Sequence, residues 1–214
     1  MLNTDPLRST IDSMRLGDKE IRSYLISSLR RKLNPASNII IEEFDLAHGE
    51  TRADVVVVNG KLTGIEIKSD LDTLNRLERQ IGLYNQYFDA VEIYAVEKHI
   101  EKIKEIAPRW WGIKKIHLKD GEICVRVIRR GRRNANINFA RIVSLLWKEE
   151  ALNLLREHKQ SKGFESKNRT LIWDRIVEKV SERSIKSFVL RALKSRQNWR
   201  SAPQQMSNDG LCRP

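Results

Sequence analysis

Two acidic residues and a lysine stand inside runs that read as β-strand, where charge is normally depleted. Asp54 lies in the otherwise apolar run Ala53 to Val58, and Glu66 and Lys68 alternate with Ile65 and Ile67 in the next run, Leu62 to Lys68. If the loop joining the two runs has an odd number of residues, Asp54 falls on the same face as Glu66 and Lys68. A three-residue loop makes Asp54 and Glu66 direct neighbours, with Cβ atoms roughly 4.5 to 5.5 Å apart. A two-residue Asn59-Gly60 turn puts them on opposite faces unless a bulge intervenes. Two carboxylates at that range can share one divalent cation. Such a cation, with a backbone carbonyl as further ligand, can bind a phosphate oxygen, orient a water and lower its pKa, while a neighbouring lysine stabilises developing charge. Phosphodiester hydrolysis is the chemistry that suits this set. The competing account is a surface hairpin with a Glu-x-Lys pair on its wet face, which is ordinary in antiparallel sheets.

The elements that must position these residues can be read from periodicity. Asp5-Pro6 followed by Leu7, Ile11 and Met14 predicts a short leading helix up to Gly17. Asp18 then caps a second helix whose stripe is Ile21, Tyr24, Leu25, Ser28 and Leu29, ending before Asn34-Pro35. Ile39 to Leu46, Ala53 to Val58 and Leu62 to Lys68 predict three adjacent antiparallel strands, with His48-Gly49 and Asn59-Gly60 as turns. A helix over Asp72 to Phe88, a buried strand over Val91 to Val96, a helix over Glu101 to Ala107 and strands over Lys115 to Leu118 and Ile123 to Ile128 follow. The order α-β-β-β-α-β makes residues 1–130 an α/β core, a mixed sheet flanked by helices. Helices over Ile137 to Leu155, Leu171 to Val180 and Ile185 to Leu193 make 131–200 a helical extension, and 201–214 is expected to be a disordered tail.

Composition narrows the class of function. The chain has 214 residues, 40% hydrophobic and 32% charged, with 5 Pro and 10 Gly, which excludes collagen-like and low-complexity types. Its net charge of +12 is uneven. Residues 1–100 hold 13 Lys and Arg against 16 Asp and Glu, net −3, whereas 101–214 hold 27 against 12, net +15. A basic half suits a polyanion such as nucleic acid, with an acidic lipid surface as the weaker alternative. No run approaches the roughly 18 apolar residues of a membrane span, and no secretory leader is visible, so a cytoplasmic protein is expected. Cys124 and Cys212 make neither a disulfide framework nor a CxxC pair, and His48, His99, His117 and His158 lack zinc-ligand spacing. Ser69, Ser144 and Ser184 have no nucleophile elbow around them, and no GxxxxGKS loop is present, so serine-hydrolase and ATPase readings lose their basis.

A helix containing Glu20, a strand hairpin with Asp54, eleven intervening residues, Glu66-Ile67-Lys68, then a helix and a strand resemble the PD-(D/E)XK nuclease superfamily over residues 18–97. Glu43-Phe44, Gly49, Arg52-Ala53-Asp54, Gly64 to Asp70 and Pro108-Arg109-Trp110-Trp111-Gly112 are similar to a widespread bacterial branch of it. Ala53 stands where the superfamily pattern has proline. The resemblance implies a restriction-endonuclease-like core and a Mg2+-dependent nuclease, with Mn2+ as an alternative ion. It implies Asp54, Glu66 and the Ile67 carbonyl as metal ligands and Lys68 as the residue that positions water or stabilises the transition state. Glu20 fits the additional acid these nucleases carry on the first helix, and Glu43 competes for that role. Each also has a bland account, the helix dipole for Glu20 and a solvated strand glutamate for Glu43.

On the next helix, Arg76, Gln80 and Tyr84 follow at i, i+4 and i+8, and Gln80-x-x-x-Tyr84 looks like the QxxxY element of some members. Gln80 and Arg76 are candidates for phosphate or metal-water contacts; Tyr84 is a candidate nucleic-acid contact by that resemblance but reads more readily as core. Trp110-Trp111 reads as a structural pair rather than a base-stacking platform. Arg129, Arg130, Arg132 and Arg133 surround Gly131 as the densest positive charge, a phosphate-contacting loop or a solvated linker. On the last helix Ile185, Phe188, Val189, Ala192 and Leu193 pack inward, leaving Lys186, Arg191, Lys194 and Arg196 outside. The sum is a nuclease for DNA rather than RNA, against the alternative of a non-cleaving nucleic-acid-binding protein on the same fold.

Overall fold

In the computed structural model, residues 15–196 are described, so the leading helix over Asp5 to Met14, Cys212 and the tail 201–214 lie outside the described residues. Helix α1, Asp18–Lys32, is followed by strands β1, Ile39–Leu46, β2, Thr51–Val58, and β3, Leu62–Lys68. Helix α2, Leu77–Tyr87, strand β4, Ala90–Val96, helix α3, Glu97–Ile106, and strands β5, Gly112–Lys119, and β6, Glu122–Arg129, complete a mixed α/β unit. The six strands form one sheet in chain order. β1, β2 and β3 pair antiparallel, β3, β4 and β5 pair parallel, and β6 returns antiparallel on β5.

Alternation sorts the side chains between the two faces. Val55, Val57, Ile65, Ile67, Tyr94, Val96 and Ile116 point to the layer of α1, where Ile21, Leu25 and Ile26 bury against them. The opposite face takes the crossover helices, since a parallel strand pair needs a connection long enough to return to the sheet's starting end. Gly64 on that face touches the Phe88 ring so closely that an added Cβ would stand 2.7 Å from it. A side chain there would push the end of α2 off the sheet. Asp89 then ties α2 to the start of β3, its carboxylate accepting from the Leu62 N–H at 2.6 Å.

Several predicted boundaries move for identifiable reasons. α2 begins at Leu77 rather than Asp72 because the Asp72 carboxylate accepts from both the N–H and the hydroxyl of Ser69, closing a turn instead of a helix. α3 begins at Glu97, one turn earlier than predicted. The expected single helix over Ile137 to Leu155 is two: α4, Phe139–Val143, and α5, Lys148–Glu157. Ser144 donates its hydroxyl back to the Arg141 carbonyl, and the Glu150 carboxylate accepts from the Trp147 N–H, so a new helix starts there.

The chain divides between Ile137 and Asn138. The second unit holds α4, α5, α6, Arg169–Lys179, and α7, Glu182–Ser195, around a core that includes Ile142, Leu146, Leu155, Ile172, Ile176, Ile185 and Leu193. No described helix is long and apolar enough to cross a membrane.

Candidate functional site

The loop between β2 and β3 has three residues, Asn59, Gly60 and Lys61, closed by an Asn59 N–H to Lys61 carbonyl bond of 3.2 Å with Gly60 at φ +88°. Val58 pairs with Leu62 and Val55 with Ile65. Continuing that register by one residue opposes Asp54 to Glu66, so the odd loop holds and the two-residue turn does not. The strands part here, and Asp54 Oδ2 accepts from the Ile67 N–H at 2.7 Å in place of a ladder bond. That contact fastens the carboxylate to the backbone of the Glu-x-Lys strand.

Glu66 is 1% exposed and Lys68 7%, which excludes the wet-face hairpin. Lys68 Nζ donates to Glu66 Oε1 at 2.6 Å, and Tyr84 Oη lies 2.5 Å from Glu66 Oε2 and 3.1 Å from the Arg52 carbonyl. Tyr84 is both core and site: its ring stacks on Trp111 at 5.8 Å and meets Phe88 edge-on at 5.2 Å while its hydroxyl holds the glutamate. Burial and the charge of Glu66 push its hydroxyl well above the ordinary phenol range. It therefore serves as a donor. Gln80 stands one turn before Tyr84, its Oε1 3.4 Å from Lys68 Nζ. The exit of β3 is pinned by His99 Nε2 at 3.1 Å from the Ser69 carbonyl and by Asp70, whose carboxylate accepts from the Leu16 N–H at 2.9 Å.

Burial first, and the charge of Glu66 second, push the Asp54 carboxyl up to about 7, against the lowering influence of the Ile67 N–H and Arg22. A carboxyl raised by burial and by a second carboxylate beside it is part of a donor set that a divalent cation relieves. Among the described residues no cluster of three or more His, Cys, Asp and Glu side chains makes a ready metal cage. The residues fit one cation held by two carboxylates and main-chain oxygen, not a site closed by side chains alone.

The predicted candidates are not all brought together. Glu20 is exposed and folds back over the start of its own helix, with Oε2 2.5 Å from where a Cβ on Gly17 would stand. The α1 side chain that does reach the site is Arg22, whose Nη2 donates to Asp54 Oδ1 at 3.1 Å and whose Nη1 donates to the Asp54 carbonyl at 3.1 Å and pairs with Glu43. Spacing offered one signal for it, an arginine beside the buried stripe, four residues after Asp18, with which it pairs. Arg76 stands at the N-terminal boundary of α2 with its side chain exposed and making no capping bond.

Arg129 is not available to phosphate. Its guanidinium donates to the carbonyls of Trp111 at 2.8 Å, Pro108 at 2.8 Å and Ala107 at 3.3 Å, closing the end of α3. Arg130, Arg132 and Arg133 are exposed. They lie where β4 and β5 begin, with Gly131 N 3.1 Å from where a Cβ on Gly112 would be, whereas Lys68 is at the end of β3. Arg196, expected outside, is 7% exposed at its side chain, paired with Glu150 and laid over Trp147 at 4.2 Å. Arg191 remains exposed and pairs with Glu157. Trp111 is fully buried, its indole N–H donating to Asn85 at 3.1 Å, as its structural reading requires.

Fold and site define a mixed α/β protein in which one sheet face gathers two carboxylates, a lysine and a tyrosine. The chain belongs to the Bacteriophage P4 protein cII family, whose model matches residues 13–208. It is similar to Protein cII of Enterobacteria phage P4, 27% identical over 198 residues, which is 92% of this chain and 72% of that relative. Among solved structures it is similar to the SPO1766 protein of unknown function from Silicibacter pomeroyi, with 21% identity, a TM-score of 0.39, and coverage of 78% of this chain and 100% of that one.

Proposed function

We propose that this chain is a metal-dependent nuclease with a restriction-endonuclease-like core of the PD-(D/E)XK kind, hydrolysing phosphodiester bonds in DNA rather than RNA inside the cytoplasm. The observation that carries the reading is the juxtaposition of Asp54 and buried Glu66 with Lys68 on the same sheet face, 2.6 Å from Glu66. Asp54, Glu66 and the Ile67 carbonyl would hold Mg2+ or Mn2+, which when bound polarises a phosphate oxygen and acidifies a water.

The chain's own residues have separable tasks. Lys68 brings a fixed positive charge to the place where charge grows on the phosphate, and Gln80 restrains its ammonium. Tyr84 fixes one oxygen of Glu66, so the carboxylate presents a single orientation. Burial of Glu66 and Lys68 keeps bulk water from screening either charge. Arg76, Arg130, Arg132 and Arg133 are exposed cations suited to backbone phosphates, which they would bind without regard to sequence.

A second reading, a nucleic-acid-binding protein that does not cleave, is favoured by one observation. Glu66 has both oxygens engaged by Lys68 and Tyr84, and Asp54 has both engaged by Ile67 and Arg22, so the site is satisfied by its own residues. The test is a panel of linear, nicked, branched and single-stranded substrates with Mg2+ or Mn2+. Cleavage that EDTA abolishes and Asp54→Asn loses supports the nuclease; retained binding with no cleavage of any substrate replaces it with the second reading.

A further inference from the structure

We propose that Arg22 is the cation Asp54 keeps while no divalent ion is bound, and that Glu43 is the carboxylate that retains Arg22 when such an ion takes Asp54 over. The inference rests on the metal-binding reading above and adds to it a competitor supplied by the protein. Arg22 is a positioning residue here, since it acts through Asp54.

Three features converge on this role. The Arg22 guanidinium is 14% exposed and meets three carboxylates: Asp18 at 2.9 Å, Asp54 at 3.1 Å, and Glu43. A guanidinium keeps its charge at any ordinary pH, so Arg22 neutralises Asp54, the site acid within its reach. A second cation at Asp54 would face that guanidinium at short range, and the two must compete.

Glu43 is built to receive it. It adopts φ +54° in the middle of β1, although its neighbours keep the ladder, Glu42 pairing with Val55 and Phe44 with Ala53. The pairing skips Glu43 and Asp54 and resumes on the same register, and a left-handed glutamate at that gap is unusual for a residue with a Cβ. Register alone would set Glu43 opposite Asp54; here its carboxylate pairs with Arg22 and, at 2.6 Å, with Arg52. With Asp18 on the same helix as a further partner, Arg22 can leave Asp54 and keep two ion pairs. A fixed staple between α1 and the sheet would need the Asp54 contact or the Glu43 contact, but not the second carboxylate held in a disfavoured conformation.

The test is calorimetric titration of the full chain with Mn2+ in the absence of nucleic acid, with circular dichroism to show that each variant is folded. Arg22→Met is expected to bind Mn2+ about tenfold more tightly than wild type. Glu43→Gln, which leaves Arg22 more firmly on Asp54, is expected to bind about fivefold more weakly. In the Arg22→Met background the Glu43 substitution should have no further effect. Should Arg22→Met fail to fold, Glu43→Gln and Arg22→Lys, whose single ammonium cannot bridge three carboxylates, carry the test, with Arg22→Lys expected to bind more tightly than wild type. Unchanged or weaker Mn2+ binding in folded Arg22→Met overturns the proposal, as does a Glu43→Gln loss that persists without Arg22, because Glu43 is then itself a ligand. Wild type that binds no more Mn2+ than Asp54→Asn removes the metal reading and the proposal together, whereas a wild type that binds with both single variants unchanged removes the proposal alone.

Discussion

The two ends of the sheet use charge in opposite ways. Around Asp54, Glu66 and Lys68 each charge has a protein partner, and burial sets what those charges are worth. Around Gly131 the Arg129 side chain is tied to carbonyls, while the side chains of Arg130, Arg132 and Arg133 stand in water. The densest positive run in the sequence is therefore not where the chemistry would be. A partnered, desolvated charge acts on a reacting atom at short range; an exposed one acts on distant phosphates and is weakened by salt.

The sharpest way to break this contrast is to neutralise the buried end. Asp54→Asn and Glu66→Gln keep the shape of the side chains, and on the proposed nuclease reading they lower Mn2+-dependent cleavage by at least about a thousandfold while leaving duplex binding within about twofold. Plasmid cleavage and filter binding on the same preparations measure both. Activity within about tenfold of wild type in either variant would show that the carboxylate pair is not the reacting centre.

The next effect is on stability and separates Arg129 from its neighbours. Its guanidinium satisfies three main-chain carbonyls behind Trp111, so Arg129→Ser should cost about 2–3 kcal/mol in urea denaturation. Arg130→Ser should fall within about 0.5 kcal/mol of wild type. Equal costs for the two would erase the distinction between a structural and a displayed arginine.

Much of this was legible in the sequence, and the remainder has physical causes. The strand runs carried Asp54, Glu66 and Lys68 to one face once the loop length was known, because side-chain alternation leaves only two choices. Their burial was not legible, since it depends on Tyr84 and Trp111 packing across from elements far along the chain. The α1 side chain that meets Asp54 was not legible for a related reason. Glu20 and Arg22 lie two residues apart on α1, and only the rotation of α1 on the sheet turns Glu20 back to Gly17 and Arg22 toward Asp54. Arg196 likewise looked like solvated charge until Glu150 and Trp147 enclosed it.

A smaller effect follows from Asp54 in the metal-free protein. Its carboxyl is raised from 3.8 to about 7 by burial and by Glu66, so the folded state binds that proton more tightly than the unfolded chain does. The group's contribution to stability is then greatest at low pH and is lost as pH rises from about 4 to about 7. Denaturation in EDTA at pH 5 and pH 8 measures it. Asp54→Asn should flatten that part of the slope and should be more stable than wild type at pH 8; an unchanged slope would mean that Asp54 is no more burdened than a surface carboxylate.

The smallest effect tests the displayed end, one arginine at a time. An exposed arginine that touches a duplex phosphate releases condensed counterions, and the slope of log K against log salt changes by about 0.9 for each such contact. At physiological salt that is about a fivefold loss of affinity per contact, similar across unrelated sequences. Arg130→Ser, Arg132→Ser and Arg133→Ser should each flatten the slope by about one unit where the residue meets phosphate. Arg129→Ser, though more costly to the fold, should leave the slope of the folded fraction unchanged, because its guanidinium is already spent on carbonyls. Binding isotherms at four salt concentrations decide the matter. If the three exposed variants keep the wild-type slope, the run is solvated charge, and the exposed Arg76 at the start of α2 becomes the surface to test. If Arg129→Ser alone flattens it, the contrast between the two kinds of arginine has been drawn the wrong way round.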